Sequence, residues 1–240
     1  MATFVPEIPA DEPGGFLSDL AGMGDFFISP ASAAKYAFRK WFWVGPLVVF
    51  SVVSIIAALM MMPIVQHVME IAPLPANTTP EQYQRGMEIS LAFQKVLTYC
   101  APVTLAIFFA LQAVILLAMS AALGIGAKFR ALFNVVAGCS LIQVLSALAA
   151  LVILKARGEI STMAELRPAL GFDIFLPEGA NKYLGAVLGY FSIFEIWWIV
   201  MMVLVLRAAF GVSKGKAFAA ALPLILLSIC FRLIGAVFAR

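Results

Sequence analysis

Glu195 and Arg232 stand inside stretches that are otherwise apolar for about 20 residues, and an ionisable residue in such surroundings is a functional candidate by default. Counted from the short turn that joins the two stretches, Glu195 lies about 12 residues in and Arg232 about 16. At 1.5 Å per residue these are depths of roughly 18 and 24 Å. The spacing predicts neighbouring helices whose long side chains meet as an ion pair. Such a pair either orders helix packing, which is the first reading, or makes a polar site for a headgroup or an ion. Gln112 and Gln143 match in depth across another turn, each about 11–12 residues, or roughly 16–18 Å, from the segment Gly124–Arg130. An amide–amide bond between them is expected as packing glue, contributing about 0.6–1.7 kcal/mol.

Other reactive residue types do not converge. The single histidine, His67, is one helical turn from Glu70, which makes a solvated pair at a helix end rather than a metal site. The three cysteines, Cys100, Cys139 and Cys230, have no CxxC spacing and no histidine beside them, so they read as buried apolar thiols. No phosphate-binding glycine loop, HExxH or GxSxG is present, and only Ser192 lies near Glu195 as a hydroxyl. An enzyme needs a nucleophile beside a base or a second acid, and the sequence predicts neither, nor a cofactor or metal.

The elements that must position these residues are five apolar stretches: Val44–Gln66, Val96–Leu123, Ala131–Leu154, Leu184–Leu206 and Ala217–Phe238. Each is continuously apolar, as membrane helices are, whereas barrel strands alternate over about 10 residues. The chain is 63% hydrophobic and 12% charged, against roughly a quarter charged in soluble domains. The expected fold is an all-α, five-span transmembrane bundle occupying residues 29–240. The net charge of +3 gives no footing for nucleic acid, and the basic residues gather at stretch ends, where they anchor and orient. Lys35, Arg39, Lys40, Lys128, Arg130, Arg207, Lys214 and Lys216 fall on one side on short segments; Arg85, Lys95, Lys155, Arg157, Arg167, Lys182 and Arg240 fall on the other, spread over longer loops with most loop carboxylates (Glu81, Glu88, Glu159, Glu165, Asp173, Glu178). The expected topology is N-terminus cytoplasmic and C-terminus outside, in a bacterial inner membrane.

Residues 1–28 are acidic and Pro/Gly-rich, carry no Lys or Arg, and are expected to be a disordered tail rather than a secretory signal. Ser29-Pro30 is a helix start, and the aromatic and basic residues of Ala31–Trp43 predict a short interfacial helix at the headgroups. Thr79-Pro80-Glu81-Gln82 is a capping box that begins a long second helix, kinked near Pro102. The loop between the third and fourth stretches, broken by Gly158, Pro168, Gly171, Pro177 and Gly179, carries enough apolar residues to lie back on the surface. Gly185 and Gly189, and Ala118, Ala122 and Gly126, form small-residue faces expected to serve helix packing within the molecule.

Several segments resemble prokaryotic members of the Yip1 family. They are Ile28-Ser29-Pro30, Trp41-Phe42-Trp43-Val44-Gly45-Pro46, the run Phe191-Ser192-Ile193-Phe194-Glu195-Ile196-Trp197-Trp198, Arg207, and Val212-Ser213-Lys214-Gly215-Lys216-Ala217. The resemblance runs from about Ile28 to Phe238. It implies a five-span domain with a cytosolic N-terminus and no catalytic residues; eukaryotic relatives act in vesicle trafficking with small prenylated GTPases and with one another. The functional expectation is a non-enzymatic membrane-organising or trafficking-type adaptor, with membrane lipid, other membrane proteins or its own copies as partners. The alternative is a small transporter, channel or lipid-handling protein that uses Glu195, Arg232, Gln112 and Gln143 as a polar track. A water-reachable path from Glu195 to a surface would favour that alternative, and a sealed bundle would favour the adaptor.

Overall fold

The computed structural model describes residues 16–72, 78–158, 160, 162, 165–166, 168–177 and 180–238. In chain order its helices are α1 (Phe16–Ile28), α2 (Pro30–Tyr36), α3 (Val44–Ile71), α4 (Pro80–Tyr99), α5 (Ala101–Ala122), α6 (Phe129–Ala156), a 3-10 turn (Phe172–Phe175), α7 (Lys182–Tyr190), α8 (Ile193–Phe210) and α9 (Lys214–Phe238). Among the described residues there is no strand, and α3, α5, α6, α8 and α9 are long and apolar enough to cross a bilayer. The protein is an integral membrane protein with an all-helical, five-span bundle, as the apolar stretches require.

Helix α6 is the axis of the bundle and packs against α1, α2, α3, α5 and α8. Its buried positions include Ala131, Ala137, Gly138 and Ser140, small residues that let neighbouring backbones come close. Two tight turns lie at one end of the bundle. Gly124 and Gly211 adopt left-handed backbone angles (φ 68° and 64°) that end α5 and α8, a conformation that carries little cost only without a Cβ. Lys216 Nζ donates to the Leu123 carbonyl at 3.3 Å, so a cation on α9 meets the carbonyl end of α5 and ties the two turns together.

The chain before α3 departs from expectation. Residues 1–15 lie outside the described residues, but 16–28, expected to be disordered, form helix α1. The physical reason is a set of apolar residues that the acidic composition concealed: Met23 and Phe26 are buried, and Phe26 stacks on Phe42 at 5.3 Å. Nor is Ala31–Trp43 one interfacial helix. Helix α2 ends at Tyr36, and α1 and α2 fold into a hairpin set among α3, α6 and α8. The Trp197 indole of α8 donates to the Phe27 carbonyl at 2.9 Å near the hairpin tip, and Arg39 pairs with Asp19 at 2.5 Å near its base. The turn after α2 is held by Asn134 of α6, fully buried. Its amide nitrogen donates to the carbonyls of Ala37 (2.9 Å) and Arg39 (2.6 Å), and its oxygen accepts from the Trp43 N–H at 3.2 Å.

The capping box is present: Thr79 Oγ1 accepts from the Gln82 N–H at 3.3 Å and Gln82 Oε1 from the Thr79 N–H at 3.2 Å. Thr79→Ala is expected to cost about 1 kcal/mol at this helix start, measured as faster amide exchange at Gln82 and Tyr83 while α6 is unchanged. The expected kink is a break at Cys100, with Pro102 in the first turn of α5. The membrane-length piece therefore begins at Ala101 rather than Val96.

Candidate functional site

Glu195 owes its position to a break that the apolar run hides. The fourth stretch, expected to be one helix over Leu184–Leu206, is two helices, α7 and α8, with Phe191 and Ser192 between them. Ser192 Oγ accepts from the Glu195 N–H at 3.1 Å and so caps α8. The Ser192 backbone makes an isolated antiparallel bridge to Gly171, in the loop that lies back on this end of the bundle. Gly171 sits so close to the Leu188 and Gly189 carbonyls that a Cβ there would collide with them. A membrane helix can be interrupted only where another segment supplies its backbone partners, and this loop does so. The same loop occupies the small-residue face of α7. A Cβ on Gly189 would lie 3.0 Å from the Asp173 carboxylate, and one on Gly185 would lie 3.8 Å from Leu176. Gly185 and Gly189 thus receive a surface loop within the molecule.

Arg232 Nη2 lies 3.9 Å from Glu195 Oε1, so the predicted neighbours do meet, although beyond hydrogen-bonding distance. The Glu195 side chain is 17% exposed and that of Arg232 44%. The guanidinium also sits over the Tyr190 ring, 5.5 Å from its centre. The Tyr190 hydroxyl lies near Ser228 but forms no well-aligned hydrogen bond.

Glu195 opens into a cavity of about 280 Å³ enclosed by α3, α5, α6, α8 and α9. Gln112, Ser140, Gln143, Glu195 and Ser228 form its polar lining. Phe50, Phe109, Trp198 and Leu224 form much of the apolar wall, and Phe108, Leu227 and Phe231 form an outward-facing rim on α5 and α9. Gln112 and Gln143 therefore share one cavity with Glu195, but the bond between the two amides that their matched depths suggested is not formed. Gln143 faces the Glu195 carboxylate instead, and Gln112 Oε1 is buried with no hydrogen-bond partner. Ser140 and Ser228 escaped the sequence reading because a lone serine in an apolar helix carries no signal of its own. Ser140 Oγ also donates back to the Val136 carbonyl at 2.8 Å.

Measured along the helices from the end with the tight turns, Gln112 lies roughly 15 Å deep, Gln143 and Glu195 roughly 21–22 Å, and Arg232 roughly 27 Å. A hydrocarbon layer is about 30 Å thick. The cavity thus spans the middle and far part of the bilayer. Nearer the tight turns, Leu116, Leu132, Val136, Met202 and Val205 are fully buried and form a dry apolar layer.

The remaining candidates separate. His67 is exposed, and Glu70 accepts from Gln66 at 3.0 Å. Cys139 is buried as expected, but Cys100 and Cys230 face outward. Ala118, Ala122 and Gly126 also face outward, contrary to their expected packing role. The inward side of α5 is taken by Phe109, Ala113, Leu116 and Ser120, and a helix buries only one such stripe.

No curated protein and no solved structure is significantly similar to this chain. A family model described as the Yip1 domain matches residues 24–234, taking in α2 to α9, the cavity and the Glu195–Arg232 pair. The chain belongs to the Yip1 domain family.

Proposed function

We propose that this protein is a non-enzymatic membrane-organising component, of the adaptor type, that works by holding membrane lipid and contacting other membrane proteins through its helices. The observation that supports this reading is the cavity at Glu195. Its polar lining is one carboxylate, two amides and two hydroxyls, groups that can hold a polar headgroup, and its rim on α5 and α9 faces where lipid tails lie. The dry layer from Leu116 to Val205 stands against a water path from the cavity to the tight-turn face, so the cavity suits a lipid-handling role better than a channel. We place the tight-turn face in the cytoplasm of a bacterial inner membrane, because Arg39, Lys128, Arg130, Lys214 and Lys216 gather there on short segments.

The test is purification in mild detergent, gel filtration, and mass spectrometry of the lipids and proteins that remain bound. Retained phospholipid at about one molecule per cavity, together with a recurring membrane-protein partner, is the expected result. Protein that emerges without lipid, and takes none up from mixed micelles, would overturn the lipid-holding part. Reporter fusions that place the 124–128 turn outside would overturn the orientation.

A further inference from the structure

We propose that the Glu195 cavity receives the headgroup of a phospholipid bearing a primary ammonium, of the phosphoethanolamine class, which slides in sideways between α5 and α9. This rests on the lipid-holding reading above and adds the chemistry of what is held.

The route follows from the rim. Phe108, Leu227 and Phe231 line the cavity yet are 53%, 42% and 62% exposed at mid-span positions of α5 and α9. At that depth the surroundings are hydrocarbon, so a molecule reaching the cavity past these side chains comes from the bilayer. A cavity of about 280 Å³ has room for a headgroup but not for two acyl chains, which stay outside against the phenyl rings.

Charge selects the headgroup. Glu195 and Arg232 are adjacent but 3.9 Å apart, so neither exhausts its hydrogen-bonding capacity on the other. Together they are neutral and present a carboxylate that lines the cavity with a half-exposed guanidinium 3.9 Å from it, just outside the cavity wall. A zwitterionic headgroup matches both, its ammonium on Glu195 and its phosphate on Arg232. An anionic headgroup would bring an uncompensated negative charge into a low-dielectric site that already holds a carboxylate.

Hydrogen-bond valence selects the ammonium. Gln112 Oε1 is a buried acceptor in the cavity without a donor, a state that carries a cost of its own. A primary ammonium has N–H groups for the Glu195 carboxylate and for Gln112 Oε1 together. A trimethylated ammonium has the same charge and no N–H, so it leaves Gln112 unpaired and is bulkier.

The experiment uses the full chain in detergent and native mass spectrometry, with phosphatidylethanolamine, phosphatidylcholine and phosphatidylglycerol of identical acyl chains offered in competition. The ethanolamine lipid is expected to occupy a single site about tenfold more tightly than either other lipid. Gln112→Leu and Glu195→Gln are each expected to cut that preference to about threefold or less, and a melting curve reports whether each variant is folded. Gln112→Leu carries the test if Glu195→Gln does not fold, since it removes no charge. Equal binding of the three lipids, a preference that survives Gln112→Leu, or water-soluble phosphoethanolamine competing as well as the lipid would each overturn the proposal. Lipid held without headgroup preference sinks this inference alone; no lipid held at all sinks the lipid-holding reading with it.

Discussion

Asn134→Leu is expected to lower the unfolding free energy by about 3–6 kcal/mol. A buried polar group left unpaired costs about 1–3 kcal/mol, and two of the three bonds here are only partly buried, which keeps the sum in the lower part of its range. Three groups lose their partner: the carbonyls of Ala37 and Arg39 and the N–H of Trp43. Asn134 is fully buried, and leucine has the same branching and number of side-chain heavy atoms with bulkier methyl groups, so the loss comes from the backbone of residues 37–43 and some overpacking rather than from a void. Asn134→Asp should also fail, because a carboxylate has no N–H to give and would face two carbonyl oxygens. Thermal unfolding in one detergent, with the Trp41 and Trp43 environment followed by fluorescence, measures the effect. An Asn134→Leu protein that melts within about 1 kcal/mol of the parent would show that water or another side chain satisfies this turn.

The second large effect is expected at Gly138. A Cβ there would overlap the Phe26 ring, and Phe26 cannot swing aside because it is fully buried and stacked on Phe42. Overpacking of this kind costs about 1–3 kcal/mol. Gly138→Val should reach the upper part of that range by pushing α1 off α6, so that α1 becomes susceptible to protease while α3–α9 keep their fold. Phe26→Ala is destabilising alone, because it empties a packed site, yet it should restore much of the stability lost in Gly138→Val. A double-mutant cycle measures that coupling. Additive effects of the two changes would mean that α1 does not rest on Gly138.

How much of this was legible in advance varies with the physics of each feature. Helix boundaries written in adjacent residues were legible: the Thr79–Gln82 box that starts α4 and the Gly124 and Gly211 turns that end α5 and α8 need nothing beyond their own segments. Depth was legible as well, because rise per residue is fixed. Counting along helices matched Gln112 with Gln143 and Glu195 with Arg232, and Arg232 does lie beside Glu195. Which pairs bond was not legible, since helix rotation and tilt decide that. Gln143 turns to Glu195, and Gln112 Oε1 is left without a donor.

The apolar runs alone determined that this polypeptide lives in hydrocarbon and crosses it as helices. Without water, every backbone group must be paired within its own segment, so length and apolarity are sufficient signs of a span. Only the tertiary structure decided where that regularity stops. Gly171 supplies the bridge that lets the fourth stretch break at Ser192, and Asn134 supplies the bonds that let the chain turn between α2 and α3. These partners come from 21 and from more than 90 residues away, a separation that no local pattern encodes. The cavity follows from the same cause: the break sets the start of α8, and with it where Glu195 meets four other helices.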